Sequence, residues 1–382
     1  MTQTLTQRVH QVDAVRGFAL AGILIANIGF FADPRQSVLG AVPVTHDPVS
    51  FVVNTLVLSK FYVIFSFLFG YSFTLQMRAA ERDGASVKGR TLRRCLGLFV
   101  IGLLHGFLLW IGDILTLYAA LGVVLLLMRN VRPKTAVIIG SVILGVIAAA
   151  LLLLAALSTL DPAAAAQPAG DPAEADRALR LATGGPLGFL RFQLETYPVL
   201  ALFIWGFQGP PALAMFLFGL AAGKVRLLED RERWAALLPR VQAVGFTVGL
   251  PCAVLFAWGT QGQGPLELVG LGLGTITSPL LAAAYVATLL RLPGLWPALA
   301  PAGRVAASNY VGQSVLCCLV FTGYGLALGG RLPPLAVMGV AASIYAVLLV
   351  LSAWWLRSHR YGPVEWVLRR ITLCSEGRPP RR

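Results

Sequence analysis

Long apolar runs alternate with short polar segments along the whole chain, and run length sets the architecture. A helix needs about 20 apolar residues to cross a bilayer. Ten runs approach that length, at residues 14–32, 49–78, 92–111, 113–128, 135–157, 199–224, 241–259, 267–290, 304–324 and 333–356. The pattern predicts an all-α polytopic membrane bundle of about ten transmembrane helices. The first run is longer than the apolar core of a signal peptide, so it reads as a retained helix.

The polar segments orient the bundle. Arg78, Arg82, Lys88, Arg90, Arg93 and Arg94 follow the second run, and Arg129, Arg132 and Lys134 follow the fourth. Lys224, Arg226, Arg231, Arg233 and Arg240 follow the sixth, Arg291 and Arg304 flank the loop before the ninth, and seven arginines follow the tenth. The alternate loops carry few. Basic residues mark the cytoplasmic side, so both termini are expected in the cytoplasm of a protein spanning the inner (plasma) membrane.

Residues 1–157 then form an N-terminal five-helix half and 199–373 a C-terminal one. A loop with an interfacial helix (158–198) lies outside between them, and a basic tail (374–382) ends the chain. Gly209-Pro210-Pro211 raises the alternative that 187–224 crosses twice. One crossing keeps Lys224–Arg240 on the basic side, and the i,i+4 pair Arg191/Glu195 suits a helix at the interface.

Composition agrees. The chain is 57% hydrophobic and 13% charged, against about 25% charged in soluble domains. The net charge of +14 comes from the loop clusters, which excludes nucleic acid as the expected partner. Five cysteines sit within or beside the spans and form no metal-binding spacing. No P-loop, dinucleotide fingerprint or H-E-x-x-H is present.

Polar residues at membrane depth are the candidates for chemistry. Asp13, Arg16 and Asn27 share one stripe of the first helix, Arg16 and Asn27 within about 20° of each other. Asp13/Arg16 reads as an ion pair with a function or as a plain interfacial pair. Asn27 reads as a site residue or as interhelical glue. Lys60 would lie about 16 Å into the second span, where it needs a carboxylate or a substrate anion. If 49–59 is a surface helix, it only snorkels.

His105 lies near the far end of the third span, and Asp113 follows at the hairpin. A carboxylate beside a histidine fixes its tautomer and raises its basicity, as a general base requires. The alternative makes Asp113 a helix cap. His46, beside Asp47, is a second base candidate. Asn309 and Gln313 share a face of the ninth span, where they would read a polar ligand or tie helices together. Glu365 is an acid at the inner surface.

Several motifs coincide with a known pattern. Arg8-x4-Asp13-x2-Arg16-Gly17 with Asn27, Phe65-Ser-Phe-Leu-Phe69-Gly70 and His105-x4-Trp110-x-Gly112-Asp113-Ile-Leu-x-x-Tyr118 occur in order. Gly303-Arg304-x3-Ser308-Asn309-Tyr310-x2-Gln313-Ser314 and Tyr361-Gly-Pro-Val-Glu365-Trp366 follow. From Arg8 to Leu373 the chain resembles the YeiB family of bacterial membrane proteins. That family is of unknown function and is grouped with the transmembrane acyltransferases. Acyltransferase-three proteins place a catalytic histidine fourteen residues after the aspartate, where this chain has Asn27. The heparan-type N-acetyltransferases are similar to it in having asparagine there and take their histidine from the next outer loop. The base therefore does not carry over by motif, and His105 rests on its depth and neighbours.

The function expected is acyl transfer from a cytoplasmic acyl-CoA to an acceptor at the outer face. His105, Asp113, Asn27 and Lys60 would be catalytic, and Asp13, Arg16, Arg304, Asn309, Gln313 and Glu365 would bind substrate. Acyl-CoA would be a co-substrate, with no resident cofactor and no metal. The partners are the bilayer, a lipid, glycan or small-molecule acceptor, and a second copy of the chain as a homodimer. A transporter or flippase of a small anionic or amphipathic solute, and a non-catalytic scaffold, are the alternatives.

Overall fold

The computed structural model describes residues 2–38, 40–41, 47–160, 170–262 and 264–374. They form helices α1 (Thr2–Ala32), α2 (Pro48–Leu56), α3 (Lys60–Arg82), α4 (Val87–Leu108) and α5 (Leu115–Leu127). After them come α6 (Pro133–Leu160), α7 (Pro172–Thr183), α8 (Pro186–Lys224), α9 (Arg231–Val244) and α10 (Leu250–Gly262). The last are α11 (Pro265–Leu290), α12 (Trp296–Arg304), α13 (Ala306–Phe321), α14 (Pro334–Trp355) and α15 (Pro363–Leu373). No strand occurs among the described residues.

Local chemistry sets the helix starts. Asp47, Ser86 and Asp171 each accept a backbone N–H of the first turn, from Ser50, Gly89 and Ala173, which satisfies donors that a helix leaves open. Proline opens α2, α7, α8, α11, α14 and α15, where its missing N–H is no loss.

Among the described residues, eight helices are long and apolar enough to cross a membrane, counting α2–α3 and α9–α10 as one each. The two remaining runs are the shorter apolar helices α5 and α13, about 20 and 24 Å long. The protein is thus an all-α polytopic membrane bundle. Large apolar side chains such as Val142, Leu153, Leu202 and Val350 stand on its surface, as a lipid solvent allows.

Residues 186–224 form one continuous helix through Pro198, Pro210 and Pro211. Residues 187–198 are therefore its first turns and not a separate interfacial segment. Glu195 accepts from Arg191 at 2.7 Å and from Arg177 of α7 at 2.6 Å. The second predicted span is broken instead. Ser59 adopts a left-handed backbone (φ 69°), so α2 ends and α3 restarts at Lys60.

The two halves of the sequence interlock, with α1 packed against α12, α13 and α14, and α3 along α8. Glycines permit both approaches. A Cβ at Gly70 would collide with the Phe216 backbone, and one at Gly303 with the Asp13 carbonyl. Small residues at such crossings let backbones meet in lipid.

Candidate functional site

Arginine and lysine contacts collect at one end of the bundle. Arg78 pairs with Glu229, Lys224 donates to the Val131 carbonyl, Arg93 to that of Thr372 and Arg304 to that of Arg360. A cavity of about 400 Å³ opens there, lined by Arg16, Arg90, Arg94, Arg304 and Arg369, with Glu365 as its only carboxylate among the described residues. Arg16 donates to Asp13 at 2.7 Å and to Ser72 at 2.6 Å, so buried Asp13 holds the guanidinium at the wall and does not line the cavity itself. Arg369 lies over the Tyr361 ring at 5.0 Å. The Arg94 Nε is buried with no hydrogen-bond partner among the described residues. Arg16 is paired with Asp13 and Arg90 with Asp83 at 2.7 Å, which leaves Arg94, Arg304 and Arg369 in excess over Glu365, a balance that suits a phosphate-bearing ligand.

Glu365 is largely committed to structure. Its Oε1 accepts from the backbone N–H groups of Ala307 and Ser308 at 2.7 and 3.2 Å, and its Oε2 from the Ser308 hydroxyl at 2.5 Å. A carboxylate from α15 thereby caps the positive end of α13. Glu365→Ala should cost about 1–2 kcal/mol, read as a lower unfolding midpoint of the detergent-solubilised protein, with Glu365→Gln recovering part of it.

A second cavity, of about 780 Å³, lies farther along the bundle. Asn27, Lys60, Trp110, Gln208, Glu267 and Ser278 supply its polar edge. Asn27 makes no hydrogen bond to a described residue. Lys60 is buried at 2% exposure, donates to the Asn54 carbonyl at 3.1 Å and lies 6.0 Å from the Phe256 ring. It has no carboxylate partner among the described residues. The helix break at Ser59 places it in the wall instead of at mid-helix. Trp110 stacks on Phe31 at 4.1 Å, and its indole N–H has no hydrogen-bond partner among the described residues.

Phe65, Leu115, Tyr118 and Tyr310 border both cavities, so a partition one side chain thick separates them. The Tyr118 hydroxyl is tied to the Ser66 hydroxyl at 2.6 Å.

Behind Tyr310, its ring 5.0 Å from the phenol ring, lies His105. Its Nδ1 meets Asp113 Oδ1 at 2.8 Å and its Nε2 meets the Ser314 hydroxyl at 2.9 Å. Asp113 Oδ2 also accepts from the Thr116 N–H and hydroxyl at 2.9 and 3.0 Å, so it orients the histidine and caps α5 together. All of this is buried: Asp113 has no exposure and His105 has 2%. The non-helical turn between α4 and α5 is tolerated at membrane depth because protein surrounds it. His105 and Asp113 line neither cavity.

Of the other expected site residues, Arg304 lines the basic cavity. Asn309 donates to the Ala302 carbonyl and the Ser352 hydroxyl, and Gln313 to the Leu20 carbonyl. Both tie helices together away from the cavities. His46 lies outside the described residues. The sequence reading passed over Arg94, Tyr118, Tyr310, Ser314 and Glu267. Arg94 was counted only as a topology signal. Ser314 stands four residues after Tyr310 and so shares its face. Glu267 is the lone acid of its apolar run, which could have singled it out.

The fold and these cavities define a polytopic all-α membrane protein with a strongly basic pocket at one end and a larger, mostly apolar pocket beyond it. The chain belongs to the family of YeiB and YxaH. Residues 222–375 match the family described as "Protein of unknown function (DUF418)". The chain is similar to "Uncharacterized protein YxaH" of Bacillus subtilis (strain 168), 31% identical over 97% of this chain and 96% of that protein. It is also similar to "Uncharacterized protein YeiB" of Escherichia coli (strain K12), 27% identical over 97% and 98%, and to a 39.9 kDa protein of Bacillus acidopullulyticus, 28% identical over 96% and 94%.

Proposed function

We propose that the protein is a membrane-embedded acyltransferase that takes an acyl group from a cytoplasmic acyl-CoA to an acceptor in the far cavity. The observation that carries this reading is the pair of back-to-back cavities sharing the Phe65/Leu115/Tyr118/Tyr310 wall. The basic end is cytoplasmic by the positive-inside rule, in the plasma membrane, with both termini on that side.

In this reading Arg16, Arg94 and Arg304 hold the donor phosphates, and the thioester reaches the partition. The acceptor oxygen or nitrogen attacks the thioester carbonyl carbon. The C–S bond breaks, and the leaving thiolate takes up the proton that the base removed. Lys60 and Asn27 supply donors to the oxyanion, which such preorganised groups stabilise strongly. His105 is the base, held in one tautomer by Asp113. Tyr310 must rotate aside and the Ser314 hydroxyl must release Nε2 for the imidazole to reach the acceptor.

The test uses the full chain in proteoliposomes with radiolabelled acetyl-CoA as probe. Label is expected to move to a lipid-phase or lumenal product. Arg94→Ala should raise KM for the donor about tenfold, the loss of one charge-assisted contact of about 1.4 kcal/mol. A wild type that transfers no label overturns the proposal. Transport is the second reading; Pro210, Pro211 and Pro279 border the far cavity, where each leaves a backbone carbonyl without its helical N–H partner, although both helices run on unbroken. Solute counterflow without acyl-CoA would establish it instead.

A further inference from the structure

Among the described residues, the far cavity lacks a protein wall on one side. Helix α6 meets α8 at Gly140, where a Cβ would touch Ala214 and Phe218, and meets α11 through Ala148 and Leu152 at Gly272. Past the α8 crossing, Val146, Ala150 and Leu154 of α6 and Phe203 and Phe207 of α8 all border the cavity. These wall residues are themselves exposed, Val146 at 63% and Phe203 at 50%. On α6, Val142 and Leu153 lie within about 40° of Val146 on the helix surface. Both are exposed, and neither borders the cavity. The lipid-facing surface of α6 therefore runs into the cavity without interruption, and the cavity opens sideways between α6 and α8.

Charge at the inner end of this opening is sparse and of both signs. Among the described residues, Lys60 and Glu267 are the only charged ones of the lining, and they form no ion pair with each other. Lys60 is buried and, among the described residues, has only a backbone carbonyl to receive its N–H groups, a state that calls for an anionic partner. An apolar approach from the bilayer, one ammonium and one carboxylate fit an amphiphile with a zwitterionic head.

We infer that the far cavity takes a zwitterionic phospholipid of the phosphatidylethanolamine class. Its phosphate sits at Lys60, its amine faces Glu267, and its chain leaves between α6 and α8. As the acceptor of acyl transfer this lipid rests on the function proposed above. As a bound lipid it does not.

The experiment places the full chain in nanodiscs containing phosphatidylethanolamine with a diazirine in one acyl chain. After irradiation, labelled peptides are mapped by mass spectrometry. Label is expected to concentrate on residues 144–154 and 200–208. Ala150→Trp, which plugs the opening, and Lys60→Met, which removes the phosphate contact, should each cut it about fivefold, a change worth roughly 1 kcal/mol. Val142→Trp, on lipid-facing α6 outside the cavity, should leave it unchanged and controls for folding. Label spread evenly over other lipid faces such as Val347 and Val350 of α14, or unaltered by Ala150→Trp, overturns the inference. Equal competition by unlabelled phosphatidylglycerol and phosphatidylethanolamine overturns the zwitterionic assignment. Site labelling without any transfer from acetyl-CoA sinks the acyltransferase reading alone. Transfer to a water-soluble acceptor without site labelling sinks the lipid inference alone.

Discussion

Gly303→Ala should abolish the folded bundle. The added methyl would fall within the van der Waals envelope of the Asp13 carbonyl oxygen and close to the Gly17 backbone N. Backbone cannot rotate away as a side chain can, so α12 would have to separate from α1 along one of the most extensive helix contacts of the protein. Overpacking ordinarily costs about 1–3 kcal/mol, occasionally more, and a collision with the α1 backbone at both Asp13 and Gly17 belongs at the upper end. Separation would also move Asp13, whose carboxylate holds Arg16 at the basic cavity. The expected result is loss of the monodisperse peak in detergent chromatography, or failure to accumulate in membranes. Gly339→Ala is the contrasting control. It lies in α14 with open space around the new Cβ, and helix propensity favours alanine there by about 0.5–1 kcal/mol. Normal chromatography and an unchanged unfolding midpoint for Gly303→Ala would refute the close packing of α1 on α12.

The second large effect is expected at Asp113. An ionised carboxylate only accepts, so Asp113 requires His105 to carry its proton on Nδ1. That leaves Nε2 as acceptor from the Ser314 hydroxyl. In Asp113→Asn the amide oxygen can keep the Thr116 cap, but its NH2 then faces Nδ1 and favours the opposite tautomer. The helix survives and the base does not. Acyl transfer should fall by a factor on the order of 10²–10⁴ in kcat, the usual worth of a positioned general base, with KM for acetyl-CoA unchanged. His105→Ala should do the same. Asp113→Ala removes the histidine partner and the cap together from a fully buried site, and should cost about 3 kcal/mol or more in stability. Unaltered transfer by Asp113→Asn and His105→Ala, both inserted normally, would remove these residues from the mechanism.

The apolar helices were legible because lipid demands long apolar segments, a requirement that composition alone reveals; among the described residues, eight of them are long enough to span and two are shorter. The nearness of His105 to Asp113 was legible because eight residues across one hairpin bring them back together. The break at Ser59 was not. It carries no glycine or proline, and a left-handed serine is held by its surroundings, not announced by residue type. Asn309 and Gln313 share a helix face as their spacing implies, yet whether that face meets a ligand or another helix depends on residues nearly 300 positions away, such as Leu20.

Sequence by itself determined the membrane class, the helical fold, the basic end and the family, because each follows from the local run of residue types or from motifs read in order. Tertiary structure alone decided that Arg94 points into a cavity and that Asn27 and Lys60 share one. It also decided that Tyr118 and Tyr310 divide the two cavities, and that His105 stands behind that partition. A cavity is the space several helices leave unfilled. Its walls are chosen by crossing points such as Gly303 against Asp13 and Gly140 against Phe218, which no single segment encodes.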